Sequence, residues 1–309
     1  MTGTFTLAHL SDVHLAPIAG FRLRYWNTKR ALGFLNWQRG RRRVHVREVA
    51  DRIAADVLAH EPDHIAVTGD LANLGLPEEY ENAAAWLAQL GDPQRVSVVP
   101  GNHDIYSGRL GDNTCLKAWA PYMRNSESWT DDAPVQFPYV RTEGPVALIG
   151  LNSAVPTPPF VAAGRLGQGQ LDQFALSLER LAAAGYIRVV MIHHPPLPGQ
   201  ARPRRALQDA AAFASVLDRH GAELVLHGHN HRQTLAWHRH SGGRIPVLGV
   251  ASASAGRLHN NEPLARYHLI RLWREDGVLH ITCETRGLTS PEGDVTTIEM
   301  AELMAAPVA

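Results

Sequence analysis

Thiols are scarce in this sequence. Its 309 residues include two cysteines, Cys115 and Cys283, far apart and without a neighbouring thiol. That excludes a disulfide framework and a thiolate zinc ribbon. It favours a reducing compartment, with both side chains packed as small apolar groups. Long apolar runs are missing as well. No stretch approaches the ~18 consecutive apolar residues of a membrane-spanning helix. The opening MTGTFTLAHLSD has no basic segment followed by an apolar core, so no secretory leader is expected and the cytoplasm is the expected location. Net charge is absent too: 30 Lys plus Arg balance 30 Asp plus Glu. Attraction for a charged partner must therefore come from local clusters. Internal repeats and low-complexity linkers are also lacking. With 45% hydrophobic and 19% charged residues, the composition is that of a globular protein, and the length suits one large α/β domain or two small ones.

What is present is an alternation. Short apolar runs at 5–10, 63–70, 95–102, 146–153, 187–194 and 222–229 read as strands. Helical spacing of apolar residues marks 45–60, 77–90, 168–184 and 206–219. A mostly alternating β and α order argues for an α/β layered fold. The last third is β-rich with short turns such as Glu275-Asp276-Gly277, and reads as an antiparallel sheet or edge packed on the first unit. Residues after about 285 are weakly patterned and are expected to form a tail, 286–309.

Histidine is abundant, at 17 residues, and several stand beside carboxylates where strands end. The first strand is followed by Asp12 and His14, the second by Gly69-Asp70, the third by Gly101-Asn102-His103-Asp104. Later strands run into His193-His194-Pro195 and into Gly228-His229-Asn230-His231. Ligands of open α/β sheets bind at the carboxyl ends of strands, so these groups are expected to converge. Carboxylates, an amide oxygen and imidazoles suit divalent Mn, Fe or Zn. More than four plausible ligands implies two ions sharing a carboxylate. Paired metals ~3.5–4 Å apart serve phosphoryl transfer and hydrolysis. His9, His64 and His227 lie inside strand patterns and are expected to have no role at the centre.

The set DVH, GD, GNHD, HHP and GHNH, in that order over residues 12–231, resembles the calcineurin-like metallophosphoesterases. The resemblance implies a four-layer α/β/β/α sandwich, two mixed sheets flanked by helices, spanning residues 1–285. It implies one metal held by Asp12, His14, Asp70 and His231, and a second held by Asp70, Asn102, His193 and His229, with Mn favoured. A hydroxide between the metals would attack phosphorus, His103 would protonate the leaving oxygen, and Asp104 would orient His103. His194 would be a second-sphere or substrate-facing group. The resemblance extends to bacterial cyclic-nucleotide and glycerophosphodiester phosphodiesterases. The alternative is a membrane-surface hydrolase of a lipid-linked phosphodiester or pyrophosphate, for which UDP-diacylglucosamine pyrophosphatases are the model. Nucleic acid is not an expected partner, because neither a DNA-capping domain nor a coiled coil is present.

Residues 21–47 depart from that pattern. This insertion, FRLRYWNTKRALGFLNWQRGRRRVHVR, has nine basic side chains, no acid, and aromatics at Phe21, Tyr25, Trp26, Phe34 and Trp37. It follows the first metal motif, so it should begin near the centre. Arg202, Arg204 and Arg205 follow another. Together with Arg41, Arg42 and Arg43 they are expected to meet an anionic phosphoester. The insertion is expected to form a lid, a contact with an anionic membrane surface, or a packing arm.

Overall fold

The computed structural model describes residues 3–18, 22–106, 114–126 and 134–307. Phe21 lies outside the described residues. The strands are β1 (Phe5–Leu10), β2 (His64–Val67), β3 (Val96–Val98), β4 (Tyr139–Glu143), β5 (Val146–Gly150) and β6 (Ile187–Met191), then β7 (Leu224–His227), β8 (Thr234–His240), β9 (Gly243–Gly249), β10 (Arg266–Glu275), β11 (Val278–Leu288) and β12 (Val295–Pro307). The helices are α1 (Thr28–Asn36), α2 (Arg42–Val44), α3 (Arg47–Ala59), α4 (Pro77–Leu90), α5 (Thr114–Ala118), α6 (Gln168–Ala183) and α7 (Ala210–His220). One sheet has the order β12-β11-β10-β1-β2-β3 and the other β4-β5-β6-β7-β9-β8.

Side-chain alternation explains why the sheets stack. In β5, Val146 and Leu148 join the core between the sheets, while Ala147 and Ile149 face the outer helices. In β6, Ile187, Val189 and Met191 point inward and Val190 points outward; β7 repeats this with Leu224 and Leu226 against Val225. Strands buried on both faces read as continuous apolar runs, as these do. The outer face of the second sheet is covered by Leu171, Phe174 and Leu178 of α6 and by Phe213, Val216 and Leu217 of α7. Val49, Ile53 and Val57 of α3 and Tyr80, Trp86 and Leu87 of α4 pack into the core around the first sheet.

Two expectations change. The C-terminal strands do not form a sheet of their own: β8 and β9 extend the second sheet, and β10 pairs antiparallel with β1 in the first. The expected tail forms the end of β11 and all of β12, paired from Val278↔Pro307 to Leu288↔Val295. An edge strand with one face to solvent and two register shifts blurs the alternation by which sequence marks a strand.

β1, β2 and β3 are parallel neighbours, as are β5, β6 and β7. Their carboxyl ends therefore open along one edge of the molecule. The chains leaving β1 and β2 stay paired beyond the strands, through Asp12 N–H to Gly69 O and His14 N–H to Asp70 O, both 2.9 Å. That pairing fixes the loops that carry the candidate ligands.

Candidate metal centre

The sharp turns after the strands are built into the backbone. Ten non-glycine residues among those described have a left-handed φ, and five of them are Asp12, His14, Asp70, His229 and His231. Such conformations cost ~1–3 kcal/mol each and persist where surrounding structure enforces them, as at functional sites. Glycines permit the close approach of the loops. Gly69 has φ +89°, and a Cβ there would lie 2.5 Å from Gly101 N; a Cβ on Gly228 would meet the Ser11 and Asp12 side chains.

Two groups of donor atoms result. Around the first, Asp12 Oδ1 is 3.2 Å from His231 Nε2 and 3.9 Å from His14 Nε2. His14 Nε2 is 3.3 Å from His231 Nε2 and 3.8 Å from Asp70 Oδ2. Around the second, His193 Nε2 is 3.4 Å from Asp70 Oδ2, 3.2 Å from Asn102 Oδ1 and 3.2 Å from His229 Nδ1. Asp70 Oδ2 belongs to both. Donors about 2.0–2.1 Å from a tetrahedral ion stand about 3.4 Å apart, close to these separations. The atoms also suit a cation better than one another. Asp12 Oδ1 is buried without a hydrogen-bond partner.

The second layer aims the rings. His14 Nδ1 is 3.1 Å from Ala72 O, His193 Nδ1 is 2.7 Å from Thr68 O, and His231 Nδ1 is 3.2 Å from Glu262 Oε2. A carbonyl or carboxylate only accepts, so each Nδ1 carries the proton and each Nε2 turns its lone pair to the centre. Burial alone would raise the Asp70 carboxyl, but the imidazoles of His193 and His103 hold it well below the usual carboxylate range. Burial opposes charging of His193 and His231, yet Asp70 lifts the former to about 9 and Asp12 the latter to about 9. Two buried carboxylates thus draw positive charge inward. Divalent cations would meet the same demand and leave the imidazoles neutral, as ligation requires. The donor set fits them.

His103 sits beside this centre. Its backbone N–H donates to Asp70 Oδ1 at 2.7 Å, and its Nδ1 donates to Asn73 O at 2.5 Å. Nε2 is 3.0 Å from Arg41 Nη1. Burial and the Arg41 guanidinium pull the imidazole down to about 3. The expected partner, Asp104, does not orient this ring. Its buried carboxylate accepts the backbone N–H groups of Asp70, Ala72 and Gly101 at 2.7–2.9 Å, and so clamps the Asp70 loop. The His103 ring is engaged elsewhere, Nδ1 by Asn73 O and Nε2 by Arg41. The 73–76 loop that supplies Asn73 O is itself held by buried Glu79, which accepts from Asn73, Leu74 and Leu76 N–H.

The arginine-rich segment folds over the centre. It runs through α1, a π-helical turn Trp37–Arg41 and α2. Buried Arg30 ties it down by donating to Leu74 O and Gly75 O at 3.1 and 2.7 Å. Between this arm and residues 159–162 lies a cleft of about 600 Å³, lined by Leu32, Leu35, Trp37, Pro159, Phe160 and Val161 and by Lys29, Arg39, Arg41 and Arg205. Asn102 and His103 line it too. A second cavity of about 500 Å³ shares several of these residues and reaches Asp70, His229 and His231.

Of the six expected arginines, two reach this space: Arg41, whose Nη2 is 2.9 Å from His14 Nε2, and Arg205, which donates to His229 O at 2.7 Å. Arg42, Arg43, Arg202 and Arg204 are exposed and line neither cavity. His194 is buried with both ring nitrogens engaged, Nδ1 by Ser153 Oγ at 2.8 Å and Nε2 by Ala162 O at 3.2 Å, which leaves none for a substrate. Sequence reasoning passed over His45, Asn73, Glu79 and Glu262. None lies in a motif; only the fold brings them here.

The family model of the calcineurin-like phosphoesterases matches residues 5–233. The chain is 28% identical over 239 residues to the glycerophosphodiester phosphodiesterase GpdQ of Enterobacter lignolyticus, covering 75% of this chain and 73% of that protein. It is 27% identical over 283 residues to a 3',5'-cyclic-nucleotide phosphodiesterase of Nostoc, covering 87% and 88%. Among solved structures, a dimetal phosphatase of Danio rerio superposes with a TM-score of 0.58 at 16% identity, covering 95% of this chain and 98% of that one.

Proposed function

The chain belongs to the calcineurin-like phosphoesterase family and is a metal-dependent phosphoric ester hydrolase, and from that premise we propose that it is a dinuclear phosphodiesterase. The observation that carries this reading is the pair of donor groups sharing Asp70 Oδ2 at the foot of a basic cleft. Asp12, His14, Asp70 and His231 would hold one divalent ion, and Asp70, Asn102, His193 and His229 the other. Bound there, the two ions would polarise the phosphoryl oxygens and make water acidic near neutral pH.

The protein's own groups do the rest. Arg41 and Arg205 meet the phosphate oxygens from the two sides of the cleft. Once His14 Nε2 is a ligand, the Arg41 donors turn to the substrate. His103 gives a proton to the leaving oxygen; with Nδ1 committed to Asn73 O, Nε2 is the nitrogen that exchanges it. The ring must first take that proton up, which becomes easier once the anionic phosphate draws Arg41 away from Nε2. The apolar wall receives one ester group of the diester. Relatives named as phosphodiesterases support a diester over a monoester.

A second reading concerns where the substrate resides. Nine large apolar side chains are exposed among the described residues. Leu32 and Leu35 on α1 and Phe160, 79% exposed, border the cleft, and Leu258, 75% exposed, adjoins His259 of the second cavity. Trp26 precedes α1, Arg42 and Arg43 stand exposed further along the same arm, and Arg202 and Arg204 stand exposed on the loop after β6, where Arg204 O accepts from Ala162 N–H. Exposed apolar groups among arginines fit an anionic membrane surface. No described helix is long and apolar enough to cross a membrane.

The test is hydrolysis of bis(p-nitrophenyl) phosphate against p-nitrophenyl phosphate after chelation and reloading with Mn. Faster turnover of the diester is expected; turnover of the monoester alone would contradict the reading. Sedimentation with phosphatidylglycerol vesicles, but not phosphatidylcholine vesicles, would support the membrane location.

A further inference from the structure

His45 belongs to no motif, yet it is among the most firmly held side chains near the centre. It follows α2 and precedes α3. Val46 N–H donates to Ser254 O at 2.9 Å and Gly256 N–H donates to Val44 O at 2.8 Å, so the backbone on both sides is pinned to the loop after β9. The ring is buried, at 2% exposure.

The hydroxyls around it set its tautomer. Ser252 Oγ lies 2.7 Å from Asp12 O, and a carbonyl only accepts, so the Ser252 proton points there. The Ser252 oxygen is then left to accept, and Ser254 Oγ donates to it at 3.2 Å. His45 Nδ1 lies 2.9 Å from Ser254 Oγ and 3.3 Å from Ser252 Oγ; since Ser252 can only accept here, a proton on Nδ1 satisfies both contacts. The chain of donors starts at Nδ1–H and ends on the backbone of Asp12. Nε2 keeps its lone pair, as in His14, His193 and His231. Burial and the nearby Arg41 keep the imidazole neutral.

That lone pair has a destination. The His45 ring lies 4.5 Å from the His14 ring and 5.4 Å from the His231 ring, centroid to centroid. One ligand nitrogen from each of the three lies within 4.8 Å of the others. His45 also lines the cavity that reaches Asp70 and His231.

We infer that His45 Nε2 is a further ligand of the metal held by Asp12, His14, Asp70 and His231, supplied by the arginine-rich arm. The inference rests on the two-metal reading above. It gives the arm a second task. Arg41 stands four residues before His45, so an ion bound to His45 fixes the arm and brings Arg41 to the phosphate. Ser254 and Ser252 are positioning residues that aim the ring.

The test is calorimetric titration of the chelated full-length protein with Mn, together with the visible spectrum of the Co-loaded protein. Wild type is expected to bind two Mn. His45→Ala should keep one site and lose at least about tenfold in affinity at the other, with a changed Co spectrum, since removing even an outer partner of a ligand costs about 10–100-fold. Ser254→Ala keeps the ring and should weaken the same site less. It serves as the reporter if His45→Ala fails to fold. Wild-type affinities and an unchanged Co spectrum in both variants would overturn the inference while leaving the two-metal reading intact. Unchanged affinities with a raised KM would also overturn it, and make His45 a substrate contact. A wild-type protein binding one Mn would instead refute the two-metal reading; His45 would then stand or fall on whether its loss weakens that single site.

Discussion

The strand-end loops and the arginine-rich arm meet at one centre but are held there differently. The loops after β1, β2, β6 and β7 are fixed largely by their own backbone, through inter-loop hydrogen bonds, left-handed turns and close glycine contacts, with the Asp104 carboxylate clamping the one after β2. The arm is fixed chiefly by side chains, Arg30 on the 74–75 carbonyls, Lys29 on Thr157 Oγ1 at 2.8 Å and His45 on Ser254, and is joined by backbone pairing at its end, where Val44 and Val46 meet the 254–256 loop. A backbone-built site tolerates little variation and carries the chemistry. A side-chain-built cover can change its lining without disturbing what lies beneath. Reaction class is thus assigned to the first region and substrate choice to the second.

That division predicts a graded set of effects. Asp70→Ala strikes the backbone-built region at its shared ligand. Both metals should be lost, with hydrolysis falling by at least about 10³-fold; elemental analysis showing two metals per chain would break the comparison. His103→Ala should keep both metals while kcat falls about 10²–10⁴-fold, the usual share of a general acid. Steady-state kinetics at full metal occupancy will tell, and an unchanged kcat would remove its assigned role. In the arm, Arg41→Ala should raise KM for bis(p-nitrophenyl) phosphate about tenfold, roughly the loss of one charged hydrogen bond. Arg42→Ala and Arg43→Ala should leave it within about twofold. Equal effects of all three would mean that a diffuse field, not a contact, draws the substrate. The smallest effect on chemistry is expected from Gly33→Ala. A methyl there meets the Tyr106 hydroxyl and Leu74, so thermal unfolding should show a loss of about 1–3 kcal/mol. Near-normal kcat with a raised KM would place the damage in the cover.

The same contrast explains what the sequence disclosed. The strands and most helices were legible because apolar period and length agree; α4, at Pro77–Leu90, coincides with its expected span. The convergence of the candidate ligands was legible because each stands directly after a strand, where topology leaves little freedom. Asp104 was misread because adjacency to His103 does not say which way a loop turns its carboxylate; here it turns back to three amides. Arg42 and Arg43 were grouped with Arg41, but a helical backbone sends neighbouring side chains in different directions. His45 was illegible for a related reason. Its neighbour is Ser254, some two hundred residues later, and no local pattern announces that pairing.

The most direct test of the central claim is the electron paramagnetic resonance spectrum of the chelated protein as Mn is added. Asp70 Oδ2 lies within reach of both donor groups, and ions sharing it would stand about 3.5–4 Å apart. Two Mn per chain should therefore bind and give the multiline signal of an exchange-coupled pair, lost in Asp70→Ala. A stoichiometry of one, or two Mn with separate uncoupled spectra, would contradict a dinuclear centre bridged by Asp70.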